Sequence, residues 1–224
     1  MGVIDSRFIA RMEKLLWLYA KPYDPLFPVV CFDERPCFLI GEVMAPLNPQ
    51  PGKIAKEHYA YSKNGSCCLL AAIEPLTGAR LGQVHNQRTK REYALFLKAL
   101  AARYPTALKI LLVQDNLNTH CLSALYETFA PQEAFALAQR FEFHFTPKSA
   151  SWLNMIEIEF SALSRQCLNR RIPTKEKLQC EVLTVLRERE KKAIKINWQF
   201  SIQKARTTLE NQYQQLCKNT DSLE

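Results

Sequence analysis

The segment ALKILLVQDNLNTH, residues 107–120, constrains the fold more than any other part of the chain. Positions 110–113 are apolar without interruption, and a strand with no polar side is one that must be buried. Just before it, KREYALFLKALAAR (90–103) has helical spacing, with Tyr93, Phe96, Leu97 and Leu100 on one face. Upstream, PVVCFDE (28–34), SCCLLAAIEP (66–75) and RLGQVHN (80–86) read as strands. A PLTG turn joins the last two into a meander, and CFLIGEV continues the first strand or pairs with it. Residues 45–57 read as a proline-rich loop.

Downstream, two short helices are expected over 121–140, a strand over FEFHFTP (141–147), and a helix from Trp152 to Leu168. Residues 5–20 form a leading helix that stops at Lys21-Pro22. Three meandering strands followed by helix-linked strands predict an α/β mixed sheet with helices on both faces. In that topology the first strand and the strand after the long helix lie side by side at the sheet centre. The expected division is a linker-like helix over 1–22, an α/β sheet domain over 23–170 and a basic helical C-terminal extension over 171–224.

Two of these strands end on an acid: VVCFD at Asp33 and LLVQD at Asp115. A third acid, Glu157 or Glu159, lies on SWLNMIEIEFSAL. A lone aspartate at a strand end is most often a turn residue. Neighbouring strands, however, would bring both aspartates to one sheet edge, with the later helix presenting its glutamate over them. Three carboxylates that converge repel one another and persist only around cations. Such hard oxygen donors suit Mg²⁺ or Mn²⁺, and a pair of such ions serves in-line attack on a phosphodiester. Successive strand residues face opposite sides, so Asp33 and Glu34 cannot both serve one site. Periodicity does not choose between Glu157 and Glu159, which flank the apolar stripe Leu153, Ile156, Phe160 and Leu163 on opposite sides.

Charge agrees with such a role. The net charge is +8, and residues 165–206 hold twelve Lys or Arg against four Glu. A basic excess of this kind points to a polyanionic partner, nucleic acid above membrane. Lys148, Arg165, Arg170, Arg171, Lys191 and Lys192 are candidate phosphate contacts, and Trp152 is expected in the core. The eight cysteines include no Cys-x-x-Cys pair, so zinc is not expected and reduced, mostly buried thiols are. No apolar run has membrane-spanning length and the N-terminus lacks a secretion-signal centre, so the expected location is cytoplasmic, with no membrane partner.

CFDE, VQDNLNTH and HFTPKSASWLNMIEIEF together resemble the three signature blocks of mariner-like bacterial insertion-sequence transposases, the DDE superfamily endonucleases. WQFSIQKARTTLENQY resembles the closing segment of that group, and the likeness covers about residues 12–213. The resemblance implies a ribonuclease-H-like fold and a metal-dependent enzyme that cleaves and transfers DNA strands during transposition. It assigns catalysis and metal binding to Asp33, Asp115 and Glu157, with Mg²⁺ (or Mn²⁺) as cofactor. Glu159 then stands behind the ligands or on the surface, and Asn116, His120 and Asn154 have supporting roles. It further implies element ends and target DNA as partners, a homodimer as the active form, and a helix-turn-helix region that this chain is expected to lack. Lys148-Ser149-Ala150-Ser151-Trp152 stands where the group often reads Lys-His-Gly-Ser-Trp. The competing readings are a remnant that only binds DNA or a partner, and another ribonuclease-H-like nuclease.

Overall fold

The computed structural model describes residues 4–43 and 60–220; the expected proline-rich loop lies outside the described residues. Five strands form one mixed sheet in the order β3-β2-β1-β4-β5, where β1 is Val29–Glu42, β2 Tyr61–Ile73, β3 Arg80–His85, β4 Ile110–Gln114 and β5 Phe141–Phe145. β1, β2 and β3 are antiparallel neighbours, as the meander predicts, while β4 and β5 run parallel to β1.

CFLIGEV continues the first strand, so β1 is 14 residues long with Pro36 inside it. The missing N–H of Pro36 is tolerated because β4 pairs with β1 only from Val29 to Cys31. Beyond that point this side of β1 is an edge, where proline costs no ladder bond.

Period-2 alternation sorts the strand side chains into two cores. Cys31, Leu69, Ala71, Leu111 and Val113 pack against α1 (Ser6–Tyr19), α5 (Ile156–Leu163) and α6 (Lys175–Lys191). Val30, Phe32, Leu70, Ala72 and Leu112 face α2 (Lys90–Arg103), α3 (Ser123–Thr128) and α4 (Pro131–Gln139). All of Ile110–Gln114 is buried, as a strand covered on both faces must be. Thr89 and Glu92 form a capping box that starts α2, and Asp5 accepts the Phe8 N–H at the start of α1.

The basic C-terminal third is packed as well as charged. Leu178, Val182 and Leu186 of α6 lie in the first core, and Ala205 of α7 (Ile202–Thr208) joins them ahead of α8 (Glu210–Thr220). At the β2–β3 turn Gly78 has φ +84, and a Cβ there would stand 2.9 Å from the Ile194 carbonyl oxygen, so only glycine allows this approach. The same turn receives the Arg80 side chain, which donates to the Gly78 and Ile194 carbonyls.

The expected helix from Trp152 to Leu168 is three pieces: a 3-10 turn over Ser151–Leu153, α5, and a π-helical turn over Ser164–Leu168. Asn154 causes the first break. Its backbone is extended (φ −87, ψ 113) so that its side-chain amide can donate to the Phe32 carbonyl on β1 at 2.8 Å. Trp152 is also not core: it is 49% exposed, with its ring edge against Phe200. The tight turn sends Leu153 inward and leaves Trp152 outside.

Candidate active site

The β1–β4 ladder pairs Cys31 with Val113, and two residues further on the same register sets Asp33 level with Asp115. Both are odd-numbered positions of their strands, so they share the face covered by α5. Glu157 lies in the first turn of that helix, half-exposed, and its charge reaches Asp33. Asp33 is buried, and burial, followed by the charges of Asp115 and Glu157, pushes its carboxyl up to about 7. That rise prevails over the Glu34 backbone N–H, which donates to Asp33 Oδ1 at 2.7 Å. Asn154 Nδ2 donates to Asp33 Oδ2 at 3.4 Å, so the residue that breaks the helix also steadies the acid.

Asp115 stands just past the end of β4, and its Oδ1 lies 2.5 Å from His120 Nδ1. This contact outweighs burial and holds Asp115 below the usual aspartate range. Burial opposes charge on His120 too, but the contacts with Asp115 and Glu34 prevail and raise it to about 9. The imidazole is enclosed by the Phe32 and Tyr93 rings. Its Nε2 reaches Glu34 Oε2 at 3.5 Å, an ion-pair approach without an aligned hydrogen bond, and Glu34 also pairs with Arg88 at 2.8 Å. Beneath it, Gln114 accepts from the Tyr93 hydroxyl and donates to the His120 carbonyl, shaping the 115–120 loop from below. Asn116 is exposed and lines a cleft beside Asp115.

Sequence reading did not find Glu34, Arg88, Tyr93 or Gln114 as neighbours of the site. Glu34 does face away from Asp33, as pleating requires, but it returns to the acids through His120. The signal available was the Asp33-Glu34 doublet, whose second acid had no assigned partner.

Glu159 lies neither at the surface nor beside the three acids. It is fully buried and accepts from Arg80 Nε at 2.9 Å and Arg189 Nε at 2.8 Å. Burial opposes its charge, yet the bonds from Arg189 and Arg80 hold it below the usual glutamate range. This cluster ties α5 to β3 and α6.

The six basic candidates separate. Lys148 is exposed in the loop after β5, in the cleft that Asp115 lines. Arg165 is exposed on the π turn. Arg170 pairs with Glu181 and Arg171 with Glu42, at 2.6 and 2.7 Å. Lys191 and Lys192 end α6 beside Ile194 and the β2–β3 turn, beyond the N-terminal end of β1 and so away from the acids.

The donor set of Asp33, Asp115 and Glu157 is all hard oxygen, which suits Mg²⁺ or Mn²⁺. Among the described residues no three His, Cys, Asp or Glu side chains are gathered closely enough to enclose a metal ion. Open spacing is what mutual repulsion favours, and burial with two neighbouring acids pushes Asp33 up, which the charge of His120 offsets only in part. A hard divalent cation fits that deficit.

The mixed sheet sets two aspartates level at one edge, and the charge of a helix-borne glutamate reaches the more buried of them. Residues 28–179 match the family of DDE superfamily endonucleases, and the chain belongs to that family. Its fold is similar to that of the Mos1 transposase in its paired-end complex with left transposon end, with a TM-score of 0.57 and 13% identity over 86% of this chain and 60% of that one. The Mos1 strand transfer complex matches with a TM-score of 0.52 and 14% identity over 86% of this chain and 62% of that one. The Mos1 mariner paired-end complex with Mn matches with a TM-score of 0.50 and 14% identity over 88% and 65%. The ribonuclease-H-like α/β class follows from these matches. The chain spans about 60–65% of the length of these solved chains. No curated protein matches it. No helix among the described residues is long and apolar enough to cross a membrane.

Proposed function

We propose that the chain is the catalytic region of a DNA transposase, an endonuclease that cuts and joins DNA strands at Asp33, Asp115 and Glu157. The observation that supports this best is the convergence at Asp33: a buried strand-end carboxyl that feels Asp115 on the next strand and Glu157 on the facing helix, with His120 offsetting their charge only in part. Membership in the DDE superfamily endonucleases supplies the reaction class.

Asp33, Asp115 and Glu157 would hold Mg²⁺ or Mn²⁺, which when bound lowers the pKa of water and stabilises the leaving 3′ oxygen. Asn154 keeps Asp33 aimed at the cleft by holding both its carboxyl and the Phe32 carbonyl. His120 fixes the Asp115 carboxylate from behind, and the Phe32 and Tyr93 rings hold the imidazole in place. Asn116, exposed beside Asp115, is free to meet the scissile phosphate. The element ends and target DNA, the homodimer, and phosphate contacts by Lys148 and Arg165 belong to the same proposal. So do contacts by Arg170, Arg171, Lys191 and Lys192.

The test is nicking of duplex DNA by the purified chain with Mg²⁺ or Mn²⁺, with an RNA–DNA hybrid as the competing substrate. Asp33→Asn, Asp115→Asn and Glu157→Gln should each remove cutting while leaving DNA binding intact. Continued cutting by Glu157→Gln would remove that residue from the ligand set. Preference for the hybrid would make the chain a ribonuclease.

A further inference from the structure

We infer that the cleft between α1 and the loop after β5 holds a phosphate backbone of the DNA next to the scissile position, with Arg7, Arg11 and Lys148 as its cationic contacts. The inference rests on the reading above and adds Arg7 and Arg11, which the charge distribution along the sequence does not indicate, to Lys148.

Two connected concavities carry it. One, of about 460 Å³, has Arg7, Phe8 and Arg11 on its α1 wall and Pro147, Lys148 and Ser149 on the other. The second, of about 570 Å³, shares Arg11, Pro147, Lys148 and Ser149 and extends to Asp115 and Asn116. The path therefore runs from the first turns of α1 to the catalytic edge. Arg7 and Arg11 are four residues apart, so they project from one face of the helix about 6 Å apart along its axis.

Part of the basic surface is already matched within the fold. Arg170, Arg171, Arg189 and Arg206 are each matched to a glutamate. Among the described residues, Arg7, Arg11 and Lys148 have no ion pair and are exposed. The one acid lining the outer concavity is Asp5, whose Oδ1 accepts the Phe8 N–H as the helix cap. Three unmatched cations along a groove that ends at an acidic metal-binding edge suit a polyanion whose backbone lies in the groove and whose reactive phosphate meets the acids.

The groove is also built on a fixed support. α1 buries Met12, Leu15, Leu16 and Leu18 in the first core, and the Tyr19 hydroxyl donates to the Leu153 carbonyl at 2.8 Å. On the other wall, Ser149 has φ +61, a left-handed conformation unusual for a residue with a Cβ, which fixes the bend of the loop.

The experiment is a salt series of DNA binding, read by fluorescence anisotropy of a labelled duplex in EDTA. Each phosphate contact contributes about 0.9 to the slope of log K against log salt. Arg7→Ala/Arg11→Ala/Lys148→Ala should flatten the slope by about 2.7, each single substitution by about 0.9, and Arg7→Lys/Arg11→Lys should retain it. Arg91→Ala, on the opposite sheet face, should leave the slope as in the unsubstituted chain. The single substitutions keep the test informative if the triple variant fails to fold. An unchanged slope in folded variants would overturn the cleft assignment. Metal-dependent nicking by the same preparations separates the two ideas: nicking with an unchanged slope sinks the cleft alone, whereas a chain that binds no DNA sinks both.

Discussion

Glu157 and Glu159 stand two residues apart on α5, and the regions they face differ in how charge is balanced. Glu159 is sealed between two arginines, with every short contact a charge-assisted hydrogen bond. The charge of Glu157 reaches Asp33, the most buried of the three carboxyls, which is pushed up to about 7. A buried acid matched by cations within the protein is structural, because its charge is already spent. An acid surrounded by other acids is poised for a cation from outside. Sequence spacing treats the two glutamates alike, and the difference lies wholly in what β3 and α6 bring to one and withhold from the other.

Breaking the matched side should have the largest effect of any single substitution. Glu159→Ala leaves Arg80 buried without its partner, and the expected loss is about 3–5 kcal/mol of unfolding free energy in urea. A loss near zero would mean that Arg80 is sustained by the Gly78 and Ile194 carbonyls alone.

The pH dependence of the metal-free protein tests the unmatched side. Asp33 holds its proton more tightly folded than unfolded, so its contribution is complete below about pH 4 and is lost as pH rises through about 7. His120, raised to about 9, follows the same sign: its contribution is complete below about pH 6.5 and lost as pH rises through about 9. Between pH 5 and 9 the urea midpoint should fall by an amount equivalent to about 5–6 kcal/mol. Asp33→Asn should remove the lower half of that fall, and saturating Mg²⁺ should offset it at high pH. A flat profile would mean that Asp33 titrates normally.

Glu157→Gln sharpens the contrast with Glu159. Its effect on stability should stay within about 0.5 kcal/mol, while the Asp33 titration followed by carboxyl NMR moves down. Arg88→Ala also has a small effect. Arg88 is 58% exposed, and its pair with Glu34 should contribute no more than about 1 kcal/mol in the same urea assay.

Much of this was legible in the residues. The helix over 90–103 coincides with α2, and the strands, their order and the two-sided burial of β4 follow from period-2 and period-3.6 patterning. The stripe Leu153, Ile156, Phe160 and Leu163 is buried as its spacing predicts. The helix broken at Asn154 was not legible, because its cause is a hydrogen bond to a strand more than a hundred residues away. Trp152 was misplaced for a related reason: hydrophobicity indicates a preference for the interior, while a 3-10 turn decides which neighbour takes the place. What charge counting could not show is which cations are already matched: Arg170, Arg171, Arg189 and Arg206 of the basic C-terminal third pair with glutamates inside the fold.

The sequence by itself determined the class of fold and the identity of the acids at the strand ends, because apolar periodicity and local chemistry are properties of neighbouring residues. Only the tertiary structure decided which glutamate is matched, how Glu34 returns to the site through His120, and which cations remain unpaired along the cleft. Those outcomes depend on electrostatic balance between segments far apart in the chain, and such balance exists only once folding has set their distances.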